Sequence, residues 1–182
     1  MEIFCERTTG RDQSAQAADL LLRAVKALYH SDPGEIAKDE YGKPYFPEKP
    51  DIFFSLSHTA SYVICAVGSS PVGIDVQIKR PVSPLLAGRV CDVRELEQLD
   101  FYTLWSLKES YIKLYGKKDR EFSNIRFYSD GDGIRCFDEK VFCKSFDTVP
   151  GCSCAVCGFE PDFPDKIIFS DGKEDFDLSL LK

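Results

Sequence analysis

The chain has no run of about 18 apolar residues, so nothing in it reads as a membrane-spanning helix. Its first residues, MEIFCERTTG, lack a basic stretch followed by an apolar one, so no secretory signal is visible. A cytoplasmic location is the expectation, and with it eight cysteines held as reduced thiols. Positive charge is in deficit: 23 Lys and Arg stand against 30 Asp and Glu, a net charge of −7. That argues against nucleic-acid binding through bulk charge. The Walker loop and the Rossmann fingerprint are both missing. No serine or cysteine sits in a nucleophile elbow or a recognisable triad order. In an enzyme built this way, the attacking group arrives on a second substrate. Low-complexity segments and long linkers are absent as well.

What is present suits an ordinary globular protein. The 182 residues, 43% of them hydrophobic, fit one domain or two small lobes sharing an interface. Glu2–Arg7 reads as a strand. Ser14 then caps a helix with Ala17, Leu20, Leu21, Ala24, Val25 and Leu28 at helical spacing through Tyr29. Tyr41-Gly42-Lys43-Pro44 is a turn. Residues 51–57, 62–68 and 72–78 read as strands. Ser83-Pro84 opens a short helix, and Asp92 with Glu95 has capping-box spacing. Strands are expected again over 122–128, 134–137, 141–146, 154–159 and 166–169. Residues 62–68 and 153–159 share Cys-Ala-Val, a hint of duplication. The expected fold class is α+β: two pseudo-symmetric lobes, each a helix on a small antiparallel sheet, divided as 1–80 and 81–182.

The chemistry concentrates on residues 101–116, FYTLWSLKESYIKLYG. Asp100 is a good N-cap, and Gly116 can take the left-handed conformation that ends a helix. Leu104, Leu107, Tyr111, Leu114 and Tyr115 recur at three- and four-residue steps, giving one apolar face. Glu109 and Lys113, four apart, share a face and by themselves read as a surface pair. Lys108, Lys113, Lys117, Lys118 and Arg120 form a basic patch that could hold phosphates or steer an acidic partner. Part of that patch is equally explained by the helix dipole.

Asp75 is an acid inside the apolar strand VGIDV. Alternation puts Val72, Ile74 and Val76 on one face and Gly73, Asp75 and Gln77 on the other, with open space expected above Gly73. By itself such a carboxylate belongs on a solvated strand face. Together with Glu109 it can hold one Mg²⁺, with waters and phosphate oxygens completing the octahedron. Lys113 would then neutralise charge on a transferring phosphate. His58, in SLSHT, could donate to another phosphate oxygen. Cys152, Cys154 and Cys157 form C-x-C-x-x-C, but alternation sends Cys157 to the opposite face, so buried small hydrophobes are the default over a zinc site.

Three stretches together resemble the surfactin-type 4′-phosphopantetheinyl transferases: FSLSHTASYVICAVG (54–68), PVGIDV (71–76) and WSLKESYIK (105–113). The turn YGKPY (41–45) and CAVCGFEPDFP (154–164) are similar too. The resemblance implies a pseudo-twofold α+β fold binding coenzyme A between its lobes. It implies Mg²⁺-dependent transfer of the phosphopantetheine arm to a serine of an acyl or peptidyl carrier protein, releasing adenosine 3′,5′-bisphosphate. By matching positions it makes Asp75 and Glu109 the Mg²⁺ ligands, Glu109 the general base, and Lys113 the partner of the diphosphate. Ser57 and His58 would meet the nucleotide phosphates, and Lys43 and Pro44 the adenine. Many members carry an acid where Gln77 stands here, so Gln77 is a neutral third donor to the metal. That departure favours the alternative of a non-catalytic module binding coenzyme A or a carrier. Arg11 is the expected contact to the 3′-phosphate, and a monomer is expected.

Overall fold

The computed structural model describes residues 1–10, 12–116, 121–170 and Phe176. In chain order the elements begin β1 (Glu2–Arg7), α1 (Gln13–Tyr29), β2 (Ala37–Lys38), β3 (Pro44–Tyr45), β4 (Phe53–His58), β5 (Tyr62–Gly68) and β6 (Val72–Ile78). There follow α2 (Pro84–Val90), α3 (Val93–Leu96), α4 (Phe101–Tyr115), β7 (Phe127–Ser129), β8 (Ile134–Cys136), β9 (Phe142–Phe146), β10 (Cys152–Gly158) and β11 (Ile168–Ser170). Among the described residues no helix is long and apolar enough to cross a membrane.

Two sheets carry the fold. The first has the order β11-β1-β5-β4, antiparallel except for the parallel β11–β1 pair. The second is antiparallel, in the order β6-β10-β9. Strand alternation builds the layers. Ile3, Cys5, Ile64 and Ala66 of the first sheet meet Val72, Ile74, Val76, Cys154 and Val156 of the second in one shared core. The other face of the first sheet, with Phe4, Val63, Cys65 and Val67, receives Leu20, Leu21, Ala24 and Val25 of α1. The other face of the second, with Ala155 and Cys157, receives Leu104, Leu107, Tyr111 and Leu114 of α4. Each fully buried leucine or valine contributes about 1.5–3 kcal/mol, so these layers hold the molecule together.

The fold class is α+β, and its pseudo-symmetry is one of connectivity. In β1-α1-β4-β5 and again in β6-α4-β9-β10, a strand and a helix are followed by two strands, the last becoming central. The shared Cys-Ala-Val is not its trace. Cys65 faces α1 while Cys154 faces the inter-sheet core, so that match is out of register by one residue and flips faces. Sheet membership also departs from a division at 80/81. β6 belongs to the second sheet and β11 to the first.

Local differences have local causes. Asp12, not Ser14, caps α1, its carboxylate accepting from the Ser14 and Ala15 amides. Of the strand expected over 122–128, only β7 forms, because Phe122–Asn124 is a 3₁₀ turn. The space above Gly73 is filled rather than open: a Cβ there would lie 1.9 Å from the Ser110 carbonyl oxygen and 2.4 Å from the Leu114 amide nitrogen. Glycine is what lets α4 lie directly on β6.

Candidate active site

The close approach at Gly73 aims one face of α4 at Asp75. The helix is fixed at both ends. The Asp100 carboxylate accepts from the Tyr102 and Thr103 amides. Gly116, at φ 72°, turns the chain away, and the Lys43 ammonium donates to the Leu114 carbonyl at 2.6 Å. Burial pulls the Lys43 pKa down, consistent with a lysine packed under the turn rather than waving in water.

Asp75 is buried, not on a solvated face. Its Oδ1 accepts from the Ser57 hydroxyl at 2.8 Å and from the Lys113 ammonium at 2.7 Å. Its Oδ2 accepts from the Gln77 amide at 2.8 Å. Lys113 also donates to the Ile74 carbonyl at 3.1 Å. So Lys113 pairs across elements with Asp75, where helical spacing pointed to Glu109. Ser57 is held by a second bond, accepting from the Val76 amide at 3.3 Å. Ser55 does the same for the Ile74 amide at 3.0 Å. The hydroxyls of β4 thus satisfy the edge of β6 that β10 leaves open.

Glu109 lies one turn before Lys113 and is half-buried. Its pKa is raised, first by burial and then by the charge of Asp75, against a smaller lowering by Lys113 and Trp105. The Trp105 indole N–H comes near enough to act on that carboxylate, yet it is buried without an acceptor in hydrogen-bond geometry among the described residues. Two acids remote in sequence therefore repel each other across the α4–β6 contact.

This donor set fits a divalent cation. Two hard carboxylates converge; Asp75 already has Lys113 as its counter-ion, while burial and the charge of Asp75 weigh against an ionised Glu109, where Mg²⁺ would supply positive charge. Among the described residues no group of three or more His, Cys, Asp or Glu gathers, so water and ligand oxygens would complete the coordination. Gln77 turns its N–H₂ to Asp75; in this arrangement it is a donor to the carboxylate rather than an oxygen offered to a metal.

Lys43 and Pro44 form a wall between two grooves. One, of about 470 Å³, is bounded by Phe53, Pro71, Tyr115 and Phe159. The other, of about 200 Å³, runs between Tyr41, Gly42 and Ser55 on one side and Ile112 and Lys113 on the other. His58, next to Ser57, is exposed, and alternation turns it to the other face of β4. Arg11 lies outside the described residues, as do Lys117, Lys118 and Arg120 of the expected basic patch.

Lys108 does not belong to that patch. It is 1% exposed and forms an ion pair with Glu95 at 2.7 Å. It also donates to the Val90 and Phe122 carbonyls, while Glu95 accepts from the Asp92 and Phe127 amides. The network ties the segments around α4 to the helix. The capping-box spacing at Asp92 marked Glu95 as a cap; nothing local marked its partner. Ser55 was likewise unmarked, except that it lies two residues before Ser57 on the same strand face. The thiols take no part in the site. Cys152 and Cys154 sit in the inter-sheet core and Cys157 under α4. Burial pushes Cys5 and Cys143 up to about 12, so they stay protonated and make poor metal ligands.

A family model described as the 4′-phosphopantetheinyl transferase superfamily matches residues 71–149, the stretch from β6 through β9 that includes Asp75, Glu109 and Lys113. The chain is 38% identical over 168 residues to the 4′-phosphopantetheinyl transferase Sfp of Bacillus subtilis (strain 168), covering 82% of this chain and 75% of that protein. It is 36% identical to a second 4′-phosphopantetheinyl transferase of Bacillus subtilis over the same shares of the two chains. Against the 4′-phosphopantetheinyl transferase HetI of Nostoc it is 32% identical, over 53% of this chain and 48% of that protein. Identity at this level across most of the sequence, on a fold that brings the matched acids together, shows that the chain belongs to the 4′-phosphopantetheinyl transferase superfamily, among its surfactin-type enzymes.

Proposed function

We propose that the chain transfers the 4′-phosphopantetheine arm of coenzyme A to a serine hydroxyl of an acyl or peptidyl carrier protein, releasing adenosine 3′,5′-bisphosphate. The observation that carries this reading is the convergence of Asp75, Glu109 and Lys113 at the α4–β6 contact. In the proposed reaction the serine oxygen bonds to the phosphorus that bears the pantetheine arm. The bond from that phosphorus to the oxygen bridging the diphosphate breaks, and the bridging oxygen leaves with the nucleotide. Glu109 takes the serine proton. Lys113 stabilises the charge that grows on the leaving phosphate. Asp75 and Glu109 hold Mg²⁺, which when bound neutralises the diphosphate and orients it. Ser57 fixes Asp75, and exposed His58 meets a nucleotide phosphate. Lys43 and Pro44 lie along the adenine, and Arg11 takes the 3′-phosphate. Two lobes would suffice to build one cleft, and a monomer is the working unit of this proposal.

The test is mass spectrometry of an apo carrier protein incubated with the chain, coenzyme A and Mg²⁺. A carrier heavier by roughly 340 Da, the mass of the arm, is the expected product. A panel of fatty-acid, polyketide and peptide-synthetase carriers that all stay unmodified would contradict the reading. One observation favours a second reading, a non-catalytic module that binds coenzyme A or a carrier: Gln77 donates an amide N–H to Asp75 where a metal ligand would present oxygen. Calorimetry showing coenzyme A binding without turnover on any carrier would select it.

A further inference from the structure

Both oxygens of Asp75 are engaged by the chain's own donors. One of them, the Lys113 ammonium, is a full cation at 2.7 Å. The Lys113 side chain is 29% exposed and that of Asp75 3%, so the ammonium is the partner that stands toward solvent. Lys113 also lines the groove of about 200 Å³ beside Lys43 and Gly116. Its flexible four-carbon stem can swing the ammonium into that groove. The charges set the direction of the swing. Asp75, Glu109 and Lys113 together carry one negative charge. A divalent cation added while Lys113 stays in place makes a partly buried site positive and sets two cations against one carboxylate. An anion in the groove removes both conflicts.

Resting on the reading of Asp75 and Glu109 as metal ligands, we propose that Lys113 is the resident counter-ion of Asp75 and yields it to a divalent cation only when a diphosphate-bearing ligand enters the groove and accepts the ammonium. The metal alone then binds weakly, and metal and diphosphate bind cooperatively, each raising the affinity of the other by the same factor. Lys113 makes the site conditional, so that the cation is captured together with the group it serves.

The test uses Mn²⁺ alone, with no nucleotide, titrated into the full chain and followed by electron paramagnetic resonance. Lys113→Met is expected to bind Mn²⁺ tighter than the wild type by on the order of tenfold or more, because the competing cation is gone. Lys113→Arg, which keeps the charge, is expected to stay as weak as the wild type, and Asp75→Asn to lose the site. A second readout is thermal: saturating Mn²⁺ should raise the melting temperature of Lys113→Met more than that of the wild type. Should Lys113→Met fail to fold, Lys113→Gln takes its place in both measurements. Equal or weaker Mn²⁺ binding by the neutral variant overturns the proposal. A wild type that modifies a carrier but whose Mn²⁺ affinity ignores Lys113 loses this inference and keeps the function. A chain that modifies no carrier yet shows the Lys113 effect does the reverse.

Discussion

Glu109 is where stability and chemistry pull apart. Its pKa is raised by burial and by Asp75, so the folded state holds the proton more tightly than the unfolded chain does. The sign follows: the fold is unburdened below the ordinary carboxylate pKa and loses stability as pH rises through the raised value. Metal-free Glu109→Gln is therefore expected to be more stable than the wild type at pH 7, with the difference vanishing below about pH 4. Thermal melts across pH read this directly. The same variant should lose carrier modification by about 10²–10⁴-fold, the range for removing a general base. Transfer at the wild-type rate would strip Glu109 of its role. Ser57→Ala is milder. It removes one donor from Asp75 and the acceptor of the Val76 amide, and a stability loss of about 1–3 kcal/mol is expected from urea titration.

The elements were legible where their determinants are local. Asp100 and Gly116 bracket α4, Ser83 and Asp92 cap α2 and α3, and period-two alternation sorted the faces of β6. Contacts made across the chain were not legible. Lys108, in a lysine-rich run, read as surface because its partner Glu95 lies on α3. Gly73 read as open because only the three-dimensional approach of α4 shows what fills that space. Two variants test these contacts. Gly73→Ala drives a methyl group into the backbone of α4, and a loss of about 3 kcal/mol or more is expected because a helix cannot yield as a side chain does. Lys108→Met leaves Glu95 buried without its cation, at a cost of about 3–5 kcal/mol in thermal or urea unfolding. Adding Glu95→Gln removes the uncompensated charge and should return part of that loss, although its single amide oxygen keeps only one of the Asp92 and Phe127 amides, which Glu95 accepts on different oxygens. If the double variant is no better than Lys108→Met alone, the pair is not the source of the cost.

At the scale of the whole molecule, the two sheets pack back to back and each carries its helix on the far face. The α+β class and its pairing of lobes could be anticipated. The Cys-Ala-Val match could not serve as evidence for it, since one residue of register separates the two copies. What the architecture does for the site is bring β4 of one sheet against β6 of the other. Ser57 from the first then holds an acid on the second and Ser55 the backbone beside it, while α4 supplies the second acid and the lysine. The central claim is that Asp75 and Glu109 share one divalent cation in this seam. Anomalous diffraction from crystals grown with Mn²⁺ and coenzyme A tests it most directly. The account predicts a single manganese peak within about 2.0–2.3 Å of a carboxylate oxygen from each residue; a peak bound to neither, or to Asp75 with Glu109 turned away, would contradict it.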